Sequence, residues 1–521
     1  MKWYVSLVLA VLLLLAGCRQ VDGNDSRGTR VPLPAELEPV RAHIRQLVED
    51  GSVPSMAIAV TRDGTIVWEE GFGYADSKGE LEATEHTPYA LASISKPLTA
   101  TGLMLLVERG LVDLDAPINS YLGDAKLVAR VGDVDGATVR RVAGHTAGLR
   151  LHSQHYYAGE PAPPSMATTI ERYGRLVTAP GERWQYANLG YGLLGHVIER
   201  VSGQEYADFM RDELFTPLGM ENTWVATSTD PDPRVATKLT ADGAIIPPYL
   251  SDCPGASNIH GSAHDLILFA QSLMAPGEDL ISAILTNESI AEMQQPSPST
   301  GPSKPWERDG SGYGIGWSIG ATDQGLRVVM HNGGTAGVST VLALVPEDDL
   351  AVAVLSNTHG DWPDVILVET MCALQGLDPA QFLPAAGAPR ASGAETPRDL
   401  EGHWTGTVST PDAELPLEIN IDASAVVTVT LADLPQRRLQ DLTYGERAPH
   451  LLNVGGGPYL RGWVRGDLVS ADASRGQPHR LWLELKLRDP ELSGVVVVFS
   501  QREPPAGPLS YWVTLSEAPA R

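Results

Sequence analysis

Three short stretches carry residue types that could do acyl chemistry. The first is Ser93-Ile94-Ser95-Lys96. It opens an apolar run, residues 91–110, in which Leu98, Leu103, Leu105, Leu106 and Val107 surround the axis, so the run predicts a buried helix. Pro97 falls in the first turn, where its missing N–H does least harm, and Gly110 is the stop. Ser93 is expected at the helix start, where a serine commonly caps free N–H groups. Residues three apart share a helix face, so Lys96 should point where Ser93 points. An ammonium among apolar groups loses hydration and its pKa falls toward neutral. The amine could then take the serine proton and create a nucleophile. Alone, Ser-x-x-Lys also describes a cap and a surface lysine. The chain has seven lysines among its 38 basic residues, and Lys96 alone has a serine three positions before it.

The second stretch is Tyr186-Ala187-Asn188, between a Pro180-Gly181 turn and a helix expected over 190–201. A phenol near an ammonium is helped toward phenolate and can shuttle protons. Asn188 can donate its amide to a substrate carbonyl. The third is His331-Asn332-Gly333-Gly334, which ends a strand and opens a glycine-rich turn. Such an edge can pair with an extended substrate, and glycine lets the backbone approach closely. An N–H here, with that of Ser93, could form an oxyanion hole. Taken singly, these stretches also read as a surface tyrosine beside an N-cap asparagine, and as a hairpin with a solvent-facing histidine.

The elements that must hold them follow from periodicity. Residues 36–50 predict a helix, and 56–60 and 66–74 two strands around Arg62-Asp63-Gly64. Residues 111–310 read as helices and long loops, with a helix-start signal at 115–117 and a helix over 263–273. Strands are expected over 326–330, 338–345 and 350–355, then a closing helix over 361–374. Strands from both chain ends thus bracket a helical middle. This predicts an α/β (α+β) fold: one antiparallel sheet flanked by helices, with an inserted helical region. Residues 377–397 read as a linker. From 398 to 521 short strands predict a small all-β, barrel-like domain.

Together the three motifs resemble the serine β-lactamase and penicillin-binding protein superfamily, in its class C β-lactamase-like branch with D,D-peptidases, D-aminopeptidases and carboxylesterases. GHTAGL at 144–149, PLGM at 217–220 and GYGIGW at 312–317 agree with that branch, over about residues 36–376. The resemblance implies that Ser93 is the acylated nucleophile and that Lys96 and Tyr186 share general-base work. Asn188, His331 and Gly333 would contact substrate, and the amides of Ser93 and Gly334 would form the oxyanion hole. It implies no cofactor and no metal. β-Lactamases of this branch usually carry lysine at the position of His331. His-x-Gly resembles instead some peptidases, aminopeptidases and esterases. The expectation is a serine hydrolase acting on esters or D-amino-acid peptides in the cell envelope. The alternatives are a true β-lactamase and a non-catalytic wall-binding or regulatory lipoprotein.

Gly190-Tyr191-Gly192-Leu193-Leu194-Gly195 has the spacing of a dinucleotide-binding loop, but no strand precedes it. Its glycines read as close helix packing. His152 and His155 show no carboxylate or Cys partner in the sequence nearby, so no metal site is expected there. The net charge of −26 argues against nucleic-acid binding. Residues 1–18 read as an export signal: Lys2, an apolar run over 5–16, then Leu15-Ala16-Gly17-Cys18, which resembles a bacterial lipobox. That resemblance implies lipid on Cys18, a tether over 19–35, and a membrane-anchored protein. With Arg19 following, the anchor would be the outer membrane, facing the periplasm, in a host with two membranes. Cys253 and Cys372 could pair in such a compartment or stand as separate buried thiols.

Overall fold

The structure, a computed structural model, describes residues 32–274, 284–297, 311–321, 327–381, 398–424, 426–445, 458–468, 470–488 and 490–518. The expected signal, Cys18, most of the tether and 382–397 of the expected linker lie outside these residues.

Its centre is a seven-stranded antiparallel sheet. Across it run Gly312–Tyr313, Ser318–Ala321, Arg327–Thr335, Val338–Val345, Leu350–Ser356, Ser55–Arg62 and Thr65–Gly73. Met56 lies opposite Ser356, so strands from the two chain ends join in mid-sheet, as the sequence predicted. Period-two burial divides the side chains between two cores. On one face Ile58, Val60, Val341 and Val352 meet Val40, Ile44 and Ile366 of the helices Glu38–Glu49 and Trp362–Gln375. On the other, Ala57, Ala59, Leu342 and Ala353 meet Leu98, Leu103 and Leu266 of the helices Ser95–Glu108 and Ala263–Leu273. The helix Ser95–Glu108 is buried all round from Ser95 to Leu106. Residues 111–122 hold no α-helix: they form loop and one 3-10 turn, Ile118–Ser120.

The glycines at 190–195 do serve close packing. A Cβ on Gly192 would stand 3.1 Å from Cys253 Cβ and 2.8 Å from Met166 Cε, and one on Gly195 would touch Gly255. Cys253 and Cys372 are separate buried thiols.

Nine strands, the first Gly402–Ser409 and the last Pro508–Glu517, form an antiparallel sheet. Its two outer strands, Arg437–Arg438 and Gln440–Gly445, are consecutive in sequence and joined through buried Leu439. The sheet therefore curls into a nearly closed barrel. Val408, Leu417, Val429, Leu481 and Val496 fill its interior, leaving a cavity of about 10 Å³ among them. That is the bare minimum for one water molecule. The barrel sits against the loop 150–160. The Ser153 and His155 N–H groups donate to the carbonyls of Pro508 and Ala506 at 3.0 and 2.9 Å. Glu160 accepts from Arg475 and Arg502 at 2.5 and 3.0 Å.

Candidate active site

Ser93 lies in a short 3-10 turn, Ala92–Ile94, and the α-helix starts two residues later at Ser95. Its hydroxyl caps no N–H, contrary to the expected N-cap role. It is held instead by Lys96, whose Nζ is 3.1 Å away. Ala92, just before, has φ +47°, a left-handed conformation that alanine adopts only under constraint.

Lys96 is fully buried, and burial pulls its ammonium down to about 7. Nζ has two further neighbours, Asn188 Oδ1 at 2.8 Å and the Ala256 carbonyl at 3.2 Å. Both can only accept. The two N–H bonds of the neutral amine are therefore spent on them, and its lone pair is left for the one neighbour that can donate, the Ser93 hydroxyl. The sequence placed Asn188 on substrate; the structure places its carbonyl oxygen on Lys96.

Tyr186 stands over the same group, with Lys96 Nζ 4.7 Å from its ring centroid. Burial raises the phenol's pKa, so the neutral phenol is favoured over the phenolate that the sequence suggested.

The segment carrying Tyr186 is clamped by His145, to which the sequence assigned no role. His145 has φ +58°. Its carbonyl accepts from the Gln185 N–H at 2.7 Å, and its Nδ1 from the Ala187 N–H at 3.2 Å. Its ring lies 4.5 Å from Tyr186 and 4.6 Å from Tyr313. Burial drives its pKa well down, which keeps Nδ1 available as an acceptor. The Gly-His-Thr-Ala-Gly turn was the available signal.

The strand Arg327–Thr335 pairs on one side with Ser318–Ala321, but only as far as Met330. Its other side pairs with Val338–Val345 from Val329 to Thr335. Among the described residues no strand pairs with the first side beyond Met330, so residues 332–335 present an edge beside the nucleophile. A Cβ on Gly333 would fall 2.3 Å from the Leu91 carbonyl and 3.1 Å from the Ser93 nitrogen, so only glycine permits this approach. Gly334 is exposed, and a Cβ there would meet only His359, at 3.6 Å. His331 is buried. Its Nδ1 donates to the Asn332 carbonyl at 2.7 Å, and Nε2 lies 2.9 Å from the Tyr313 hydroxyl. A carbonyl partner fixes the proton on Nδ1, so Nε2 accepts from Tyr313 in the neutral ring.

His152 corrects one expectation. The fold brings it both a carboxylate and a thiol, Asp252 and Cys253, from one hundred residues away, with ligand-type atoms all within 4.8 Å. His152 Nε2 and Asp252 Oδ2 are 2.7 Å apart, and Asp252 also accepts from the Gln154 N–H. The two side chains thus partner each other, while His152 Nδ1 is buried with no hydrogen-bond partner among the described residues.

Residues 40–369 match the profile of the Beta-lactamase family. The chain belongs to that family. Its members are serine hydrolases. Penicillin-binding protein 4* of Bacillus subtilis is 25% identical over 327 residues, covering 58% of this chain and 68% of that protein. The unguisins hydrolase ungD' of Aspergillus campestris is 27% identical over 341 residues, 60% of each. The chain therefore spans about 60–68% of the length of these two relatives. Among solved structures, SurE with D-Leu superposes with a TM-score of 0.59 at 25% identity, over 83% of this chain and 95% of SurE. Likeness to the octameric penicillin-binding protein homologue from Pyrococcus abyssi (TM-score 0.56, 23% identity) covers 92% of this chain and all of that one. At this distance it shows shared fold, and it extends beyond residue 369 into the barrel.

Proposed function

We propose that this protein is a serine hydrolase of the cell envelope that works through an acyl-enzyme on Ser93. The observation that carries the reading is the environment of Lys96. A buried amine with two acceptors and one hydroxyl is arranged to take the hydroxyl proton. Ser93 Oγ attacks the acyl carbon while its proton passes to the Lys96 lone pair. The electron pair of the C=O collects on oxygen, between the amides of Ser93 and Gly334. When the C–O or C–N bond breaks, the leaving group takes a proton from Tyr186, and the Lys96 ammonium returns one to the phenol. Water then repeats the sequence on the ester of Ser93, releasing the acid. Asn188 holds Lys96 in place, and the strand edge at 332–335 binds the extended acyl chain.

Substrates in this reading are esters and D-amino-acid peptides or amides. Support comes from His331, which puts no permanent cation on the substrate edge, and from the relative SurE, solved with D-Leu. Export and anchoring rest on Leu15 to Cys18. Cys18→Ser should leave uncleaved precursor or soluble protein; a cleaved and acylated mutant in the membrane fraction would end that part.

The decisive test is covalent labelling. A fluorophosphonate should label the purified protein on Ser93, mapped by mass spectrometry, and Ser93→Ala should abolish labelling. A label on any other residue would remove the basis of the mechanism.

A further inference from the structure

Lys238 is a buried cation without a counter-ion. It is 7% exposed. Among the described residues its ammonium makes no ion pair and no hydrogen bond. It does lie over the Tyr249 ring, with Nζ 4.9 Å from the centroid. Two carboxylates line the same cavity, and neither is paired with Lys238. Asp232 is taken by Arg234 at 2.7 Å, and Asp230 accepts from the Ser228 hydroxyl at 2.6 Å. Burial lowers the Lys238 ammonium only to about 8, so it stays largely charged at neutral pH. The ammonium is thus left facing the cavity that its side chain lines, and such a group is a candidate for one that a ligand completes.

The side chain lines a cavity of about 800 Å³ with Trp224, Arg234, Ile246, Tyr249 and His260. Trp224 and His260 are stacked, their planes 11° apart, and form a flat wall. This cavity adjoins the substrate edge. The Tyr249 hydroxyl lies 3.0 Å from Thr335 Oγ1 and 3.1 Å from the Ala336 carbonyl. The turn after Thr335 rests on Lys238 itself: a Cβ on Gly337 would fall 2.8 Å from Lys238 Cβ. His331 and Thr335 are four residues apart on one strand, or about 13 Å. The fixed cation therefore sits beyond the end of the edge opposite His331. The leaving group must escape, while the acyl half stays bound to Ser93 through the second step. A walled cavity suits the half that stays.

We propose that Lys238 receives a carboxylate on the acyl half of the substrate, at the end of the cleft remote from His331. The proposal rests on the acyl-enzyme reading of Ser93 and narrows its substrates to acyl donors with an anionic tail.

The test compares mono-p-nitrophenyl adipate with p-nitrophenyl hexanoate in the full chain. The two esters differ only in the terminal carboxylate. In Lys238→Met the kcat/KM ratio of anionic to neutral ester should fall at least tenfold, mainly through KM. Lys238→Arg should keep most of the wild-type ratio, and Lys238→Glu should turn preference toward the 6-aminohexanoate ester. The same ratio in the wild type, Lys238→Met and Lys238→Glu would overturn the subsite and leave Lys238 as packing for Tyr249. A measurement on the wild type alone guards against a variant that does not fold. Glutarate should inhibit hydrolysis of p-nitrophenyl acetate at least tenfold better than glutaramide, and equal inhibition would also overturn the subsite. Absence of fluorophosphonate labelling at Ser93 would bring down the acyl-enzyme reading and the subsite with it. Normal labelling with an unmoved ratio brings down the subsite alone.

Discussion

Lys96 Nζ stands 3.1 Å from Ser93 Oγ, and among its three polar neighbours Ser93 is the one that can donate a hydrogen bond. The direction of proton transfer follows from that difference. Because burial lowers the ammonium to about 7, the amine is free base above that pH and protonated below it. A protonated Lys96 has no lone pair for Ser93. The kcat/KM for a neutral ester should therefore rise with pH through an apparent pKa near 7 and level off above it. Lys96→Arg stays charged at every accessible pH and should lose activity on the order of 10³-fold, as should Lys96→Ala. A flat profile from pH 5 to 9 in the wild type would show that another group is the base.

His145 holds the backbone of Gln185 and Ala187 from two atoms, so it positions Tyr186 without touching substrate. Misplacing a reacting group by about 1 Å can cost around 10²-fold in rate. His145→Phe keeps a ring but loses the Nδ1 acceptor, and its acylation rate should fall by about that factor. His145→Asn restores an acceptor and tolerates the left-handed backbone, so it should recover part of the loss. Stopped-flow labelling by a fluorophosphonate reads this directly. Equal rates in His145→Phe and His145→Asn would reduce His145 to packing.

Much of this site could be read from the chain because each motif is local. Ser93 and Lys96 share a helix turn, and the alternating strands around them repeat the period of burial. The active-site strand was harder to delimit: 326–330 was expected, but pairing runs on through Gly333 to Thr335, because Val338–Val345 supplies partners that glycines alone do not announce. The role of His145 depends on a left-handed turn folding against residues forty positions later. Likewise His152 meets Asp252 only in three dimensions. The state of Tyr186 was misread, since the phenol's burial outweighs the nearby amine, and burial is a property of the whole fold. Lys238 gave no signal, because no periodicity marks a lone lysine between loops.

The sequence reads 377–397 as a linker to a separate barrel, and the barrel's contacts reach back to one wall of the cleft. Residues 505–508 brace the loop 153–157, where the Tyr157 hydroxyl donates to the Pro505 carbonyl at 2.8 Å. His155 and Tyr157 in turn pack on Tyr249, at 4.7 and 5.0 Å between rings, beside Thr335. A chain ending at Gly376 should fold around its own sheet but lose that wall, with kcat/KM down at least tenfold and KM carrying most of the loss. Gly507→Val offers a gentler version. Gly507 has φ +89°, and a Cβ there would fall 2.3 Å from the Ser153 carbonyl. It should raise KM while Ser93 is still labelled. A truncated chain with wild-type KM would make the barrel a passenger.

The last prediction concerns the end of the cleft that His331 occupies. In a neutral imidazole whose Nδ1 donates to Asn332 and whose Nε2 accepts from Tyr313, no charge faces the substrate edge. A lysine there would hold a carboxylate at any pH below about 10 if solvated as usual. Histidine in ordinary surroundings does so only near or below about pH 6.5. Short-chain esters should therefore be hydrolysed measurably and cephalosporins slowly or not at all, because a cephalosporin carries its carboxylate at a fixed place close to the reacting carbonyl. The cation of Lys238, at the opposite end of the edge, cannot replace a clamp in that place. His331→Lys should raise the cephalosporin-to-ester ratio of kcat/KM about tenfold. The Tyr313 hydroxyl can still bond to the new ammonium, so the pocket keeps a partner for it. A chromogenic cephalosporin and p-nitrophenyl acetate, assayed side by side from pH 6 to 9, give the ratio. If the wild type turns over the cephalosporin much faster than any ester or D-amino-acid peptide, the reading of His331 fails and a β-lactamase assignment takes its place.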